Sequence, residues 1–271
     1  MISIYYMKKT LIASVYYFDG KNNEENKLWF NLQKRFIRKN TFSYDYAVLL
    51  NGCKDESMFK GCQIIDRIDR TLHKDAIQKV MEYFRANKYD SYCLLDSDCF
   101  PVSKNWPMRL RNHLEKNNQW YASISRVENG ETFPHPAAQF INGEYIHDPI
   151  FDYQEDVVST DLNTGETFKD TGTGNQKRDL DGKMIWYSLL RTNRVNVHPL
   201  LCGIYGDYFY HHGMGSRWPK NRCYRGMKIY ESYGMKANPK NVEYTFDSIR
   251  QNPEEFINYL MGKTSYNSIV F

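Results

Sequence analysis

The sequence has no long apolar run, no C-x-x-C pair, no internal repeat and no linker of low complexity. No stretch approaches the roughly 18 consecutive apolar residues that a membrane-spanning helix requires. Thirty-six basic residues stand against thirty-two acidic ones, and the formal net charge of +4 is too small to indicate a nucleic-acid-binding protein. We therefore expect neither a transmembrane segment nor a nucleic-acid partner.

The cysteines and the start of the chain bear on the cellular compartment. The six cysteines show no spacing typical of zinc ligands, and most lie in or beside apolar runs, where cysteine behaves as a small hydrophobic residue. Residues 7–18 combine lysines with an apolar run, as a signal peptide does, but the run meets Asp19 and Gly20 without a small-x-small cleavage site. A buried first strand explains this segment better. We expect a cytoplasmic protein with free thiols, cellular or viral.

The composition supports a folded core. Apolar residues make up 41% of the 271 residues and charged residues 25%, which argues against wholesale disorder. This length suits a single α/β domain with a modest extension. The aromatic content is 15%, with 22 tyrosines. Aromatic faces bind sugars and bases, but tyrosine is also an ordinary strand former.

The first half of the chain alternates apolar strands with amphipathic helices. The expected segments are strands at 10–18, 44–50, 61–65, 91–95 and 120–125, and helices at 24–39, 75–87 and 106–117. The strand at 91–95 is apolar on both faces, as an interior parallel strand is. This order predicts an α/β fold with a mostly parallel central sheet flanked by helices.

The second half is less regular. It is expected to contain loop and strand at 134–145, a polar stretch at 151–176, a helix at 181–191, strands at 195–200 and 204–210, and a last helix at 253–261. We interpret residues 1–271 as one domain. Its parts are a front half at 1–102, a second half at 103–221 and a C-terminal extension at 222–271.

Two carboxylates follow the apolar strand at 91–95. Asp96 and Asp98 are separated only by Ser97 and are followed by Cys99-Phe100-Pro101. Ligands of open α/β sheets collect beyond the carboxyl ends of the strands, and paired carboxylates there bind Mn²⁺ or Mg²⁺. The alternative is a turn in which Asp96 caps the backbone.

The segment from Tyr92 to Val102 resembles the D-x-D segment of nucleotide-sugar-dependent glycosyltransferases of the GT-A fold, which is Rossmann-like. The β-α-β-α-β order over residues 10–102 is similar to theirs. The resemblance implies a UDP- or GDP-sugar donor and a Mn²⁺ or Mg²⁺ ion. It also implies that Asp98 binds this ion, that Asp96 approaches the ribose or the ion, and that Ser97 lies beside the donor.

A pair of histidines precedes a glycine-rich turn in the second half. Several GT-A families supply a late histidine to the metal, and the resemblance assigns this role to His211 or His212. Adjacent side chains on a strand point to opposite faces, so one of the two is expected to bind. We favour His212, which is nearer to the turn, and expect Arg217 to neutralise the leaving diphosphate. The alternative is one core histidine and one surface histidine.

The ends of the first three strands are expected to bind the nucleotide. Ser14 and Tyr16 lie where GT-A enzymes begin this pocket, and an aromatic ring there stacks on a base, although a core tyrosine fits almost equally well. Asn51 ends the second strand. Asp66 and Arg67 follow the third and contact the base or ribose, unless they form only a solvated ion pair.

An inverting transfer needs a carboxylate base near the acceptor hydroxyl. We favour Asp170, in a polar loop before the helix expected at 181–191, and Asp152 and Asp156 come next. A retaining reaction would not need this base. Residues 135–140 are a further candidate for lining the cleft.

The sequence therefore predicts a metal-dependent glycosyltransferase that glycosylates a glycan or another hydroxyl acceptor. One alternative is a nucleotidyltransferase, but residues 16–20 lack the glycine-rich, basic loop that such enzymes usually carry after the first strand. The other alternative is a non-catalytic carbohydrate-binding protein, which would not need the carboxylate pair and the late histidine together.

Overall fold

The structure is a computed structural model that describes residues 8–17, 23–53, 55–128, 131–153, 157–160, 167–170, 187–190, 202–212 and 247–263. The helices are α1 (Asn23–Asn40), α2 (His73–Ala86), α3 (Trp106–Asn117) and α4 (Pro253–Leu260). The strands are β1 (Thr10–Tyr17), β2 (Tyr44–Asn51), β3 (Gln63–Ile68), β4 (Ser91–Asp96), β5 (Cys99–Pro101), β6 (Tyr121–Glu128), β7 (Glu131–Asn142), β8 (Val157–Thr160), β9 (Thr167–Asp170), β10 (Tyr187–Leu190), β11 (Cys202–Tyr205) and β12 (Phe209–His212).

Within these residues, a seven-stranded sheet has the order β10-β6-β7-β4-β1-β2-β3. Its neighbours are parallel except at β7, which runs antiparallel to both β6 and β4. β4 lies inside the sheet, between β1 and β7. The expected mostly parallel α/β sheet, with an interior strand before the two aspartates, is confirmed.

The two faces of the sheet are covered by different helices. Leu11 of β1 and Leu94 of β4 pack in the cluster that contains the apolar residues of α2. Ile12 and Leu95, their chain neighbours, pack instead with Trp106 and the rest of the apolar face of α3. Successive strand residues point to opposite faces, so a parallel strand covered on both sides is apolar throughout.

A smaller three-stranded sheet, in the order β11-β12-β5, lies beside the end of β4. β5 follows β4 after two turn residues and pairs antiparallel with β12. α1 covers this part of the molecule, because its Trp29 and Phe36 pack with Phe100 of β5 and Tyr210 of β12. The carboxyl end of β4 is thereby enclosed by α1 and by the small sheet.

Two secondary-structure predictions in the second half are wrong. Within the segment 181–191, which was expected to be a helix, residues 187–190 form strand β10. This strand pairs parallel with β6 and extends the sheet. Four residues of mixed polarity fit either period, and pairing with an available strand edge decides between them. The single strand expected at 204–210 is instead the β11–β12 hairpin, because Gly206 and Asp207 have φ values of 58° and 60° and reverse the chain.

The remaining predictions for the second half fall on segments that are described only in part or not at all. The polar stretch at 151–176 includes a hairpin of β8 and β9, so Asp170 ends a strand rather than lying in a loop. The strand expected at 195–200 lies outside the described residues. The division at residues 102 and 221 stays a prediction. Across the described ranges, no helix is both long and apolar enough to cross a membrane.

The C-terminal helix α4 gives a test of the packing around α1. Phe256 is 1% exposed in the cluster formed with Trp29 and Phe100. We expect Phe256→Ala to lower the free energy of unfolding by about 3–5 kcal/mol in urea denaturation, because it removes a buried ring and leaves a cavity. Glu254 forms surface ion pairs with Arg35 and Lys39, and Glu254→Gln should cost less than about 1 kcal/mol. Equal effects would contradict the packing described for α4.

Candidate metal centre

The turn between β4 and β5 carries the two aspartates. Asp96 is the last residue of β4, Ser97 and Asp98 form the turn, and Cys99 begins β5. The backbone N–H of His212 donates a hydrogen bond to the carbonyl of Asp98 at 3.0 Å. Strand β12 therefore holds the turn from one side and brings its own end next to the carboxylates.

His211 of β12 joins the two aspartates in a compact group. One oxygen of Asp96, one oxygen of Asp98 and one ring nitrogen of His211 all lie within 4.8 Å of one another. The Nε2 atom of His211 is 3.8 Å from Oδ1 of Asp98. Opposite ligands of a small octahedral cation are about 4.2 Å apart, so these three atoms reach one ion with little movement.

The donor set fits Mn²⁺. Carboxylate oxygens suit Mg²⁺ and Mn²⁺, whereas imidazole nitrogen is a ligand for transition metals, and Mn²⁺ accepts both. Asp98 and His211 are nearly buried, at 3% and 7% exposed, whereas the side chain of Asp96 is 23% exposed. The group is thus enclosed on the side of the small sheet and more open beside Asp96, where a further ligand of a bound ion has room to approach.

Two further histidines surround Asp96. Nε2 of His73, the first residue of α2, lies 3.3 Å from Oδ1 of Asp96. His135 of β7 lies with its ring centre 6.1 Å from that of His211. Burial raises the pKa of Asp96, but the hydrogen bond and charge of His73, with the charges of His135 and His211, outweigh burial and hold it below its usual range. Asp96 is therefore an ionised ligand at neutral pH.

Sequence reasoning missed His73, and it included His135 only within a segment. His73 begins α2, and no local motif marks it, because its approach to Asp96 results from the packing of α2 on the sheet. His135 lies at an irregularity of β7, where Ser123 pairs with Gln139 and Ile124 with His135. The proline at 136 fits within this bulge and needs no hydrogen-bonded partner.

His211, and not the expected His212, is the histidine beside the aspartates. The ring of His212 points to the other side of β12, where its Nδ1 lies 2.8 Å from the hydroxyl of Tyr210 and its ring centre 4.8 Å from that of Trp29. Burial, and then the nearby His211, lower the pKa of His212 to about 3. His212 is therefore a neutral core residue. The prediction that it is the metal ligand is wrong, because its ring points away from the aspartates.

The residues expected to bind nucleotide on β1 are buried. Ser14 and Tyr16 are both 0% exposed, and the hydroxyl of Tyr16 donates to Oε1 of Gln33 at 2.7 Å. Tyr16 therefore belongs to the core and does not present a ring to a base. The next residue, Tyr17, is half-buried at the carboxyl end of β1, with the guanidinium of Arg70 5.1 Å from its ring centre. The partly exposed aromatic ring at this strand end is therefore that of Tyr17 and not that of Tyr16.

The expected binding residues on β2 and β3 are occupied by local contacts. The side chain of Asn51 accepts from the backbone N–H of Thr71 at 2.9 Å and donates to its carbonyl at 3.3 Å, which fixes the loop before α2. Arg67 is exposed and forms an ion pair with Glu56 at 2.7 Å. The carboxylate of Asp66 accepts from the backbone N–H of Arg67. Arg67 therefore forms a solvated ion pair, as the alternative interpretation expected, although its partner is Glu56.

The remaining predicted site residues are placed only in part. Ser97 is 7% exposed within the turn between the aspartates. Asp170 ends β9, whose side chains lie outside the described structure, and Arg217 lies outside it altogether. The roles expected for Asp170 and Arg217 stay predictions.

Comparison with known proteins gives no family assignment. No protein-family profile matches the chain, and no curated protein matches its sequence. Among solved structures, the chain is similar to the mannosyltransferase PcManGT from Pyrobaculum calidifontis, solved with GDP-Man and Mn²⁺. That similarity has 8% identity and a TM-score of 0.39, and it covers 52% of this chain and 46% of PcManGT, so the chain matches less than half of that structure.

Two further solved structures are similar at the same level. One is S. aureus TarS, residues 1–349, in complex with UDP-GlcNAc, with 12% identity, coverage of 71% of this chain and 63% of TarS, and a TM-score of 0.41. The other is a cytidylyltransferase from Leptospira borgpetersenii serovar Hardjo-bovis, with 12% identity, coverage of 52% and 62%, and a TM-score of 0.36. Similarity at this level does not identify a function.

The opposite orientations of the two histidines give a direct test. We expect the wild-type chain to bind Mn²⁺, and expect His211→Ala and Asp98→Asn each to weaken binding on the order of tenfold or more, measured from the electron paramagnetic resonance signal of free Mn²⁺. His212→Gln should lower the thermal midpoint, because it disrupts packing on Trp29, but should leave Mn²⁺ affinity unchanged. A greater loss of affinity in His212→Gln than in His211→Ala would contradict this assignment.

Proposed function

We propose that the protein is a metal-dependent glycosyltransferase that moves a sugar from a nucleoside-diphosphate sugar to a hydroxyl of a glycan or other acceptor. One observation carries the proposal: Asp96, Asp98 and His211 converge at the carboxyl end of β4, an interior strand that is parallel to β1. Ligands of open α/β sheets bind at this edge, and a hard, partly open donor set there suits a cation that carries a diphosphate.

The ion would be held by Asp96, Asp98 and His211, and Mn²⁺ fits this set better than Mg²⁺ because of the imidazole. When bound, the ion would supply positive charge to the leaving diphosphate. His73, whose side chain is 47% exposed beside Asp96, lies next to the more open side of the group. Tyr17 ends the neighbouring strand β1, and the guanidinium of Arg70, from the segment between β3 and α2, lies over its ring. These two residues are our candidates for contact with the base.

The proposed reaction is inverting, with Asp170 as the base. The acceptor oxygen forms a bond to the anomeric carbon while the bond from that carbon to the diphosphate oxygen breaks, and the electron pair leaves with the diphosphate. Asp170 takes the proton of the acceptor hydroxyl. Arg217 is the proposed cation beside the departing diphosphate.

Nucleotidyl transfer is the second candidate, because a carboxylate pair with a metal serves that reaction as well. The two reactions differ in the bond that breaks. Glycosyl transfer releases a nucleoside diphosphate, whereas nucleotidyl transfer from a nucleoside triphosphate releases pyrophosphate. The absence of a basic, glycine-rich segment in residues 16–20 favours glycosyl transfer.

We also propose that the protein acts in the cytoplasm. Among the cysteines in the described part of the chain, Cys62, Cys93 and Cys99 have free thiols. Unpaired cysteines are typical of proteins in a reducing compartment.

A donor screen tests the proposed class. In the presence of Mn²⁺, we expect slow hydrolysis of one UDP- or GDP-sugar to nucleoside diphosphate and free sugar, measured by chromatography of the nucleotide products. Asp98→Asn should abolish this activity, because it removes a ligand charge. The control is Glu82→Gln on the exposed face of α2, where Glu82 forms only a surface ion pair with Lys79, and this variant should retain activity. Pyrophosphate release from a nucleoside triphosphate, without hydrolysis of any sugar nucleotide, would instead identify a nucleotidyltransferase.

The proposed base has its own test. Asp170→Asn keeps the shape of the side chain and removes its basicity, so donor binding should survive while transfer to acceptor falls on the order of 10² or more. Donor affinity is measured by calorimetry and transfer by product formation. Undiminished transfer, or a product that retains the donor's anomeric configuration, would show that Asp170 is not the base.

A further inference from the structure

One buried amide connects helix α1 to the turn that carries the aspartates. Gln33 is 0% exposed, and its Nε2 donates hydrogen bonds to the carbonyl of Asp96 at 2.8 Å and to the carbonyl of Cys99 at 2.6 Å. These two carbonyls flank Ser97 and Asp98. Gln33 thus hydrogen-bonds to the backbone at both ends of the turn and not to the carboxylates.

Two tyrosines fix the orientation of this amide. The hydroxyls of Tyr16 and Tyr46 donate to Oε1 of Gln33 at 2.7 Å and 2.6 Å. Burial, and then the neighbouring Tyr46, raise the pKa of Tyr16, and burial also raises the pKa of Tyr46, so both hydroxyls keep their protons. With two donors at Oε1 and two acceptors at Nε2, the amide uses its full hydrogen-bonding capacity and has one stable orientation.

We propose that Gln33 is a positioning residue for the metal centre: it fixes the backbone of the turn, and thereby sets the separation of the Asp96 and Asp98 carboxylates. The inference rests on the proposed metal site. Hydrogen bonds from two different elements support it, because both Gln33 of α1 and the backbone N–H of His212 of β12 donate to backbone carbonyls of this short turn. Since His212 N–H holds the carbonyl of Asp98, all three carbonyls that bracket the carboxylates are fixed.

A turn of this kind needs external restraint because its carboxylates repel each other. Two like charges within 4.8 Å favour any backbone movement that separates them. A buried carbonyl without a partner also costs free energy, so loss of Gln33 would both release the turn and leave two carbonyls to find other donors. The expected consequence is a wider and less uniform carboxylate separation, which weakens metal binding.

Asn40 provides a matched control on the same helix and strand. It is 3% exposed, two helical turns after Gln33, and its Nδ2 donates to the carbonyl of Pro101 at 2.8 Å. Asn40 therefore satisfies a carbonyl of β5 beyond the turn. Its loss should affect stability as a buried hydrogen bond does, without moving the carboxylates.

The experiment measures Mn²⁺ affinity and thermal midpoint for the full chain, the wild type and three variants, Gln33→Met, Tyr46→Phe and Asn40→Ala. We expect Mn²⁺ binding to weaken about 10–100-fold in Gln33→Met, as for other residues that orient metal ligands, and severalfold in Tyr46→Phe, which keeps the ring but removes one hold on the amide. Asn40→Ala should lower the midpoint and leave the Mn²⁺ affinity at the wild-type value.

The outcomes separate this inference from the proposed function. If the wild type binds Mn²⁺, and Gln33→Met and Tyr46→Phe bind it as tightly as Asn40→Ala does, the positioning role is wrong while the metal site stands. If the wild type binds no Mn²⁺, the metal site is wrong and the positioning role falls with it. If Gln33→Met does not fold, the Mn²⁺ affinity of Tyr46→Phe is compared with that of Asn40→Ala, and equal affinities would show that the positioning role is wrong.

Discussion

The structure of this site depends on the reversal of the chain between β4 and β5. β4 is an interior strand, apolar on both faces and parallel to β1, and its residues reach the edge where open α/β sheets bind ligands only at its carboxyl end. The chain then turns within two residues and enters a different sheet, where β5 pairs with β12. This pairing places His211 opposite Cys99, directly after the aspartates, so the topology brings together candidate ligands more than 110 positions apart in the sequence.

The electrostatics of the site follow from that convergence. Two carboxylates at this distance repel, and a buried carboxylate also loses solvation, so the group is costly to form without compensating positive charge. One part of the compensation comes from His73, His135 and His211, which lie on three different elements and together lower the pKa of Asp96 and so favour its charged form. Backbone hydrogen bonds supply the geometric part, because they hold the turn against separation. A bound cation would meet the remaining need, and this is why we interpret the cluster as a metal centre rather than as a structural ion pair.

Local sequence patterns predicted the front half well, because each of its elements carries a clear period. Strands that are apolar on both faces and helices with one apolar stripe have few alternative readings, and Asp96 and Asp98 follow directly from the position of β4. The failures occurred where local patterns are compatible with two structures. The four residues of β10 fit a helix or a strand, and only the free edge of β6 selects the strand. His73 reaches Asp96 through the packing of α2, which no local pattern encodes.

The two wrong predictions at the site, His212 and Tyr16, share one cause: successive side chains along a strand point to opposite faces. The sequence places a functional pair at His211 and His212, and another at Tyr16 and Tyr17, but which member faces the cleft depends on the strand's register with its neighbours. In both pairs the residue that was favoured faces the core. It nevertheless supports the site from behind: Tyr16 holds the amide of Gln33, and the backbone of His212 holds the carbonyl of Asp98. The alternation therefore separates two roles within the histidine pair. The side chain of His211 lies beside the aspartates, whereas His212 contributes through its backbone N–H, so the side chain of His212 can change without altering the three candidate ligands.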